Sequence, residues 1–137
     1  MRIKIVVDSF VFVGKLLLES APETSAEFLK LLPLKRTLLQ ARWSGEPAWI
    51  PLDTPDFKFP FENVKNKPMP GELLFYPGGL SEPEILFPYG QTVFASKFGE
   101  HTANHFLTLI EGQENLQELG HTVLWKGARN INFELHP

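Results

Sequence analysis

The first apolar pattern in the chain is a strict alternation, with Ile3, Ile5 and Val7 on one side of a short run and Arg2, Lys4 and Val6 on the other. Successive side chains of a strand point to opposite faces, so this run predicts a strand with one buried face. Asp8-Ser9 supplies a turn into a second strand, Phe10 to Leu18. The period then changes. Ala21, Thr24, Phe28, Leu31 and Leu32 recur at helical spacing, with Ser20 placed to cap, Pro22 and Glu23 in the first turn and Pro33 as the stop. Arg36 to Trp43 returns to strand, Ser44-Gly45 turns, and Ala48-Trp49-Ile50 is a short strand. Leu73 to Tyr76, Glu84 to Phe87, Thr92 to Phe98 and Phe106 to Ile110 are further strands, punctuated by Pro77-Gly78-Gly79 and Pro88-Tyr89-Gly90. Leu116, Leu119, Val123 and Leu124 mark one face of a second helix, and Gly127 sits where a left-handed C-terminal cap is expected. Ile131, Phe133 and Leu135 alternate with Asn130, Asn132 and Glu134 in a last strand.

Residues 51–70 break every period. Pro51, Pro55, Pro60, Pro68 and Pro70 forbid a regular helix or a central strand there, while Phe57, Phe59, Phe61 and Val64 between them need a surface to pack on. An ordered loop draped over the rest of the molecule satisfies both. About eight short strands with two widely spaced helices predict a mainly β fold. The expected form is one domain over residues 1–137, a closed eight-stranded antiparallel barrel with two short helices capping its ends.

Composition narrows this picture. A chain of 137 residues with 43% hydrophobic and 21% charged residues buries one real core. Its rings are mostly Phe (12, against 3 Trp and 2 Tyr), the aromatic that needs no hydrogen-bond partner when buried. Net charge is −3 with signs mixed and no Lys/Arg run, which argues against nucleic-acid and membrane partners. With no Cys, disulfides and thiolate chemistry are excluded and zinc would need His and carboxylates alone; no cofactor or metal is expected. Asp8 and Lys15 interrupt the apolar N-terminus before the ~18 residues of a membrane span, and no signal-peptide core is present, so a cytoplasmic location is expected.

Arg42, Trp43, Trp49, Tyr76, Phe87 and Tyr89 fall on neighbouring segments of such a barrel, and apolar walls with a few polar tips describe a small-molecule site. Glu46, Glu82 and Glu84 are the carboxylates nearest the aromatic strands; one desolvated among rings would have a raised pKa and could act as general acid or base. His101 and His105, four apart, share a face in helix or strand, but without an H-E-x-x-H pattern their simplest role is as polar residues at the barrel rim. His105, abutting the strand Phe106 to Ile110, is placed to reach the barrel mouth. The candidate cleft is therefore Arg42, Trp43, Glu46, Trp49, Tyr76, Phe87, Tyr89 and His105, on the barrel wall under the Pro-rich loop. Trp125 and Arg129 are expected to pack the second helix and its exit, with Arg129 near Glu114 or Glu118.

Several short motifs carry a resemblance. Ala21-Pro22-Glu23-Thr24-Ser25-Ala26-Glu27-Phe28-Leu29 resembles the helix start that follows the first hairpin of cyclophilins. Gly71-Glu72-Leu73, Ile85-Leu86-Phe87 and Leu109-Ile110-Glu111-Gly112 resemble strand and turn motifs of the same fold, in the same order. Trp43 to Ile50, Gly71 to Gly78 and Leu86 to Gly90 are similar to segments of small bacterial and archaeal cyclophilin-like proteins of unknown function. The resemblance implies a cyclophilin-like barrel with a concave site for a small molecule or peptide. Prolyl isomerase activity would need a fixed cation near the proline nitrogen to lower a rotation barrier of ~20 kcal/mol. The position of that arginine falls on Ala41, with Arg42 on the opposite face, and the accompanying Q-G-G-D segment is missing. The expectation is a binding domain without isomerase activity, with a residual isomerase, an amide-processing enzyme, or an accessory or homo-oligomeric subunit as the alternatives.

Overall fold

The N-terminal alternation becomes β1 (Arg2–Val7), which turns at Asp8, φ 52°, into β2 (Phe10–Leu16). Ile3, Ile5 and Val7 are fully buried. The computed structural model describes residues 1–137. Beyond the hairpin it contains α1 (Pro22–Lys30), β3 (Leu34–Gln40), β4 (Gly45–Pro51), β5 (Val64–Lys65), β6 (Glu72–Tyr76), β7 (Glu84–Thr92), β8 (Ala95–Ser96), β9 (Gly99–Glu100), β10 (Ala103–Glu111), α2 (Leu116–Lys126) and β11 (Arg129–His136).

Eight strands form a ring in the order β2-β1-β11-β3-β4-β7-β6-β10, and β10 pairs back onto β2; every pairing is antiparallel. Closure removes the free edges that an open sheet would expose. At the seam Leu107, Thr108 and Leu109 face Leu16, Lys15 and Gly14. Gly14 makes the approach possible, because a Cβ there would run into the Leu107 side chain. The small β5 adds to the start of β10, and β8–β9 is a separate hairpin.

Phenylalanines fill the tube. Phe12, Phe28, Phe75, Phe87, Phe106 and Phe133 are at most 1% exposed. They meet at tilted or edge geometry, from 4.9 Å for Phe28–Phe106 to 5.8 Å for Phe12–Phe87. α1 contributes Phe28 at the end where β10 starts, through Thr24 to Asn104. α2 begins beyond the other end of β10 and adds Leu116, Leu119 and Val123 to the same core. No helix is long and apolar enough to cross a membrane.

The Pro-rich loop is tied down. Phe57 and Phe59 rest on Phe75 at 4.9 and 5.1 Å. The buried Asn104 accepts from the Glu62 N–H and donates to Thr24 Oγ1 and Pro60 O, so its amide is satisfied on both ends. Phe61 and Val64, by contrast, are 82% and 42% exposed, so the expectation that all four apolar residues of the loop pack on a surface is corrected for these two.

Other boundaries also shift for local reasons. Ser20 does not cap α1: Ala21 is the N-cap, and the Glu62 carboxylate accepts the N–H groups of Glu23 (3.1 Å) and Thr24 (3.0 Å) and the Thr24 hydroxyl (2.8 Å). A cap supplied from 38 residues away leaves no local signal. The strand expected over Arg36 to Trp43 ends at Gln40, and Arg42–Ser44 is a 3₁₀ turn. Pro88-Tyr89-Gly90 does not interrupt β7, because Pro88 lies at a register shift against β4, where a ladder donor is dispensable. Of the strand expected over Thr92 to Phe98, Thr92 ends β7 and Ala95–Ser96 is one arm of a hairpin. Gly127 has φ 92° with ψ −163°, a positive-φ turn outside the left-handed helical region. Arg129 Nε lies 3.5 Å from Asp8 rather than near the α2 glutamates, and Trp125 is 71% exposed on the outside of α2.

Truncating Phe28 to Ala is expected to cost about 3–5 kcal/mol, as a buried ring in mutual contact with Phe106 and Phe133. The exposed Arg42, replaced by Ala, is expected to change stability by less than about 0.5 kcal/mol. Urea unfolding of both variants checks the pair; comparable losses would contradict the surface placement of Arg42.

Candidate functional site

Parity along β7 builds the site. Ile85 and Phe87 point into the tube, so Glu84 and Leu86 point out. Leu86 is flanked by Trp49 of β4 and Leu74 of β6, and Glu84 is paired with Tyr76. This stretch of outer wall is apolar and needs a cover. Phe94 and His101 supply it, packing against Tyr76 edge-on and tilted, with centroids 5.6 and 5.0 Å away. The β8–β9 hairpin between them is pinned. Ser96 Oγ is hydrogen-bonded to His101 Nε2 at 2.5 Å and accepts the Phe98 N–H, and Ser44 Oγ donates to Ala95 O. Burial lowers the pKa of His101, which favours its neutral form.

The cover is incomplete. Between the hairpin, the Gly79–Glu82 loop and an edge-on Trp43–Trp49 pair (centroids 6.0 Å apart, 74° between planes) lies a cleft of about 690 Å³. Trp43, Leu80 and Phe98 line it while remaining 55%, 71% and 55% exposed. Glu84 is on the cleft lining and only 5% exposed, with no hydrogen bond or ion pair from the protein. Burial, and secondarily the neighbouring Glu82, push its carboxyl up to about 8. At neutral pH this group is a protonated acid in an aromatic setting, able to donate a hydrogen bond, or to ionise when a cation or base arrives.

A larger groove of about 900 Å³ lies on the other side of Trp43, against Lys67, Met69, Gln91 and Val93. It carries less chemistry. Its buried polar side chains, Ser44 and Thr92, are already bonded to Ala95 O and Gly90 O.

The residues expected in one cleft are distributed over several places. Trp43 and Trp49 share the outer-wall cleft. Arg42, Glu46 and Tyr89 line a separate crevice of about 240 Å³ against Gln117 and His121 of α2. There Glu46 is exposed and accepts the Gln91 N–H, and Tyr89 lies so close on Gly120 that a Cβ at that position would meet its ring. Burial raises the Tyr89 pKa, opposed by Arg42. Tyr76 is 8% exposed; its hydroxyl accepts the Ser81 N–H at 3.4 Å, and the residue borders a further crevice with His101. Phe87 is corrected from cleft to core: it is fully buried against Phe12. His105 is corrected too. The bulge between His105 and Leu107 leaves it outside the Phe core, 5% exposed, with Nε2 2.8 Å from Thr108 Oγ1 and Nδ1 3.8 Å from a Glu72 carboxylate held by Lys65. Burial, then Lys65, lower its pKa, while Glu72 raises it. His101 and His105 are thus buried with different partners, not paired at a rim. Of the three carboxylates named from sequence, Glu84 is the desolvated one and Glu46 is not. Leu80 and Phe98 were missed; their one sequence signal is a bulky apolar residue inside a Gly- or Lys-marked turn.

The family described as "Protein of unknown function (DUF3830)" matches residues 3–135. The chain belongs to the DUF3830 family. No curated protein matches it significantly. Among solved structures, McbB in complex with tryptophan superposes with a TM-score of 0.74 at 16% identity, covering 96% of this chain and 44% of McbB. The hypothetical protein AF2241 from Archaeoglobus fulgidus superposes with a TM-score of 0.64 at 20% identity, covering 98% of this chain and 93% of that one. The DUF3830 chain therefore shares its fold with both, and spans less than half the length of McbB.

Glu84 gives this DUF3830 barrel a defined pH dependence. The folded state holds the proton to about pH 8, whereas the unfolded chain releases it near 4.5. That contribution is complete below pH 4.5 and is lost as pH rises towards 8. Glu84→Gln has no such loss, so its stability relative to the parent is expected to rise steadily between pH 5 and pH 8. His101 and His105, with lowered pKa values, act in the opposite sense on acidification and cancel in the comparison. Urea midpoints of both proteins across this range check it; a pH-independent difference would show Glu84 to be ordinary.

Proposed function

We propose that this chain is a ligand-binding domain of cyclophilin-like type, holding a small molecule or a peptide side chain in the outer-wall cleft, without prolyl isomerase activity. The observation that carries this reading is the cleft itself: Trp43, Leu80 and Phe98 are exposed around a concavity whose lining includes a buried, unpaired carboxyl. Surface rings of this size cost solvation unless something covers them, and a carboxyl without a partner has unused hydrogen-bonding capacity. Against isomerase work, Ala41 is fully buried and Arg42 is exposed in the crevice beside Tyr89, away from the tryptophans' cleft. The cation in the cleft is Lys97, on a flexible stem rather than a fixed fork. McbB, of which this chain spans 44%, is a structural neighbour solved in complex with tryptophan, and an aromatic ligand for this chain is in keeping with that.

Self-association is the second reading, favoured by the same exposed rings. Light scattering at two concentrations separates it from ligand binding. For the main reading, melting curves are measured against a panel of indoles, aromatic amides, carboxylates and proline peptides. A ligand near a hundred times its Kd is expected to add about 2.7 kcal/mol, a rise of several degrees, and Trp43→Ala is expected to abolish most of that rise. A panel without any shift would remove the cleft as a ligand site.

A further inference from the structure

Resting on the cleft as a ligand site, we infer that its ligand class is arylalkylamines in their ammonium form, with the ring against Trp43 and Trp49 and the charge against Glu84. The two carboxyl groups of the cleft favour this class. Glu84 is 5% exposed and takes no donor from the protein, and Glu82 lines the same space. A ligand carboxylate would meet the charge of Glu82 and would hold Glu84 in its protonated form. An uncharged ligand exchanges a neutral hydrogen bond with the Glu84 carboxyl at most, and brings no charge that would let it ionise. An ammonium supplies what is missing: up to three N–H donors and a positive charge, beside indole faces that attract cations.

The other titratable groups facing Glu84 do not fill that role. Tyr76, its cross-strand neighbour, accepts the Ser81 N–H on its hydroxyl oxygen and forms no hydrogen bond to Glu84. His101, tilted against Tyr76, is bonded to Ser96 and held towards its neutral form. Lys97 lines the cleft, but its Nζ lies over the Phe98 ring, 5.3 Å from the centroid, and forms no ion pair with Glu82 or Glu84. On the β4 side the partner of Glu84 is Pro51, which has no donor.

A consequence separates charge recognition from simple greasy binding. Near neutral pH the free cleft holds a protonated Glu84, and an incoming ammonium draws the carboxyl to its ionised form. The proton goes to buffer, so binding at pH 7 releases close to one proton per ligand.

The test is calorimetry on the full chain at pH 7 with 2-phenylethylamine, 2-phenylethanol and phenylacetate, each in phosphate and in Tris to count released protons. The amine is expected to bind at least about tenfold tighter than the alcohol, with phenylacetate weakest and with proton release for the amine alone. In Glu84→Gln the amine is expected to fall to the affinity of the alcohol, the alcohol to stay unchanged, and the proton release to vanish. Proton counting on the parent protein stands without the variant if Glu84→Gln does not fold. Equal affinity of amine and alcohol without proton release would overturn the inference and leave the aromatic cleft standing. So would an amine preference that persists in Glu84→Gln. Binding of none of the three would overturn the inference and count against the cleft reading together.

Discussion

Pairing β10 back onto β2 is the constraint from which the rest of the molecule follows. Once the ring is closed, each strand has an inside and an outside fixed by its pleat, and a residue cannot change sides without a bulge. Inside, phenylalanines interlock across the tube, and the cleft lies on the outer wall instead. The closure itself depends on an absence of side chain at Gly14, where Leu107 crosses the seam.

The outside is where function has room. On most strands the outward residues are polar and meet water, as Lys4 and Glu134 do on β1 and β11. On β4, β7 and β6 they are Trp49, Leu86, Leu74 and Tyr76, a second and smaller apolar cluster completed by Phe94 and Ala103. The same parity that puts Phe87 in the core puts Glu84 on this wall, and a hairpin held by Ser96 and His101 folds over part of it. The carboxyl is thus desolvated by architecture rather than by a neighbour of like charge alone. Burial is the larger cause of its raised pKa, and Glu82 the smaller.

Much of this was legible in the chain, for identifiable reasons. Alternation at Ile3, Ile5 and Val7 and at Ile131 and Phe133 gave paired strands, because local parity survives folding. The closed antiparallel barrel with two helices followed from the count and order of such segments. The dispersal of the candidate site was not legible. Whether Phe87 or Leu86 faces inward depends on the register of β7 against β4, which includes a shift between Gly45 and Pro47. Arg42 left its strand for a 3₁₀ turn and, with Glu46 and Tyr89, went to the α2 end. Glu62 capping α1 and Asn104 tying the Pro-rich loop to the barrel are contacts across 38 to 44 residues, with no local pattern to announce them.

One carboxyl in an apolar wall sets this molecule apart from a barrel with incidental surface rings. Its state is observable directly, by following the Glu84 side-chain carboxyl carbon by NMR as pH is raised, with Glu84→Gln identifying the signal. A desolvated Glu84 titrates with a midpoint near 8. A midpoint near the ordinary 4.5 would place Glu84 in water and contradict the cleft as drawn.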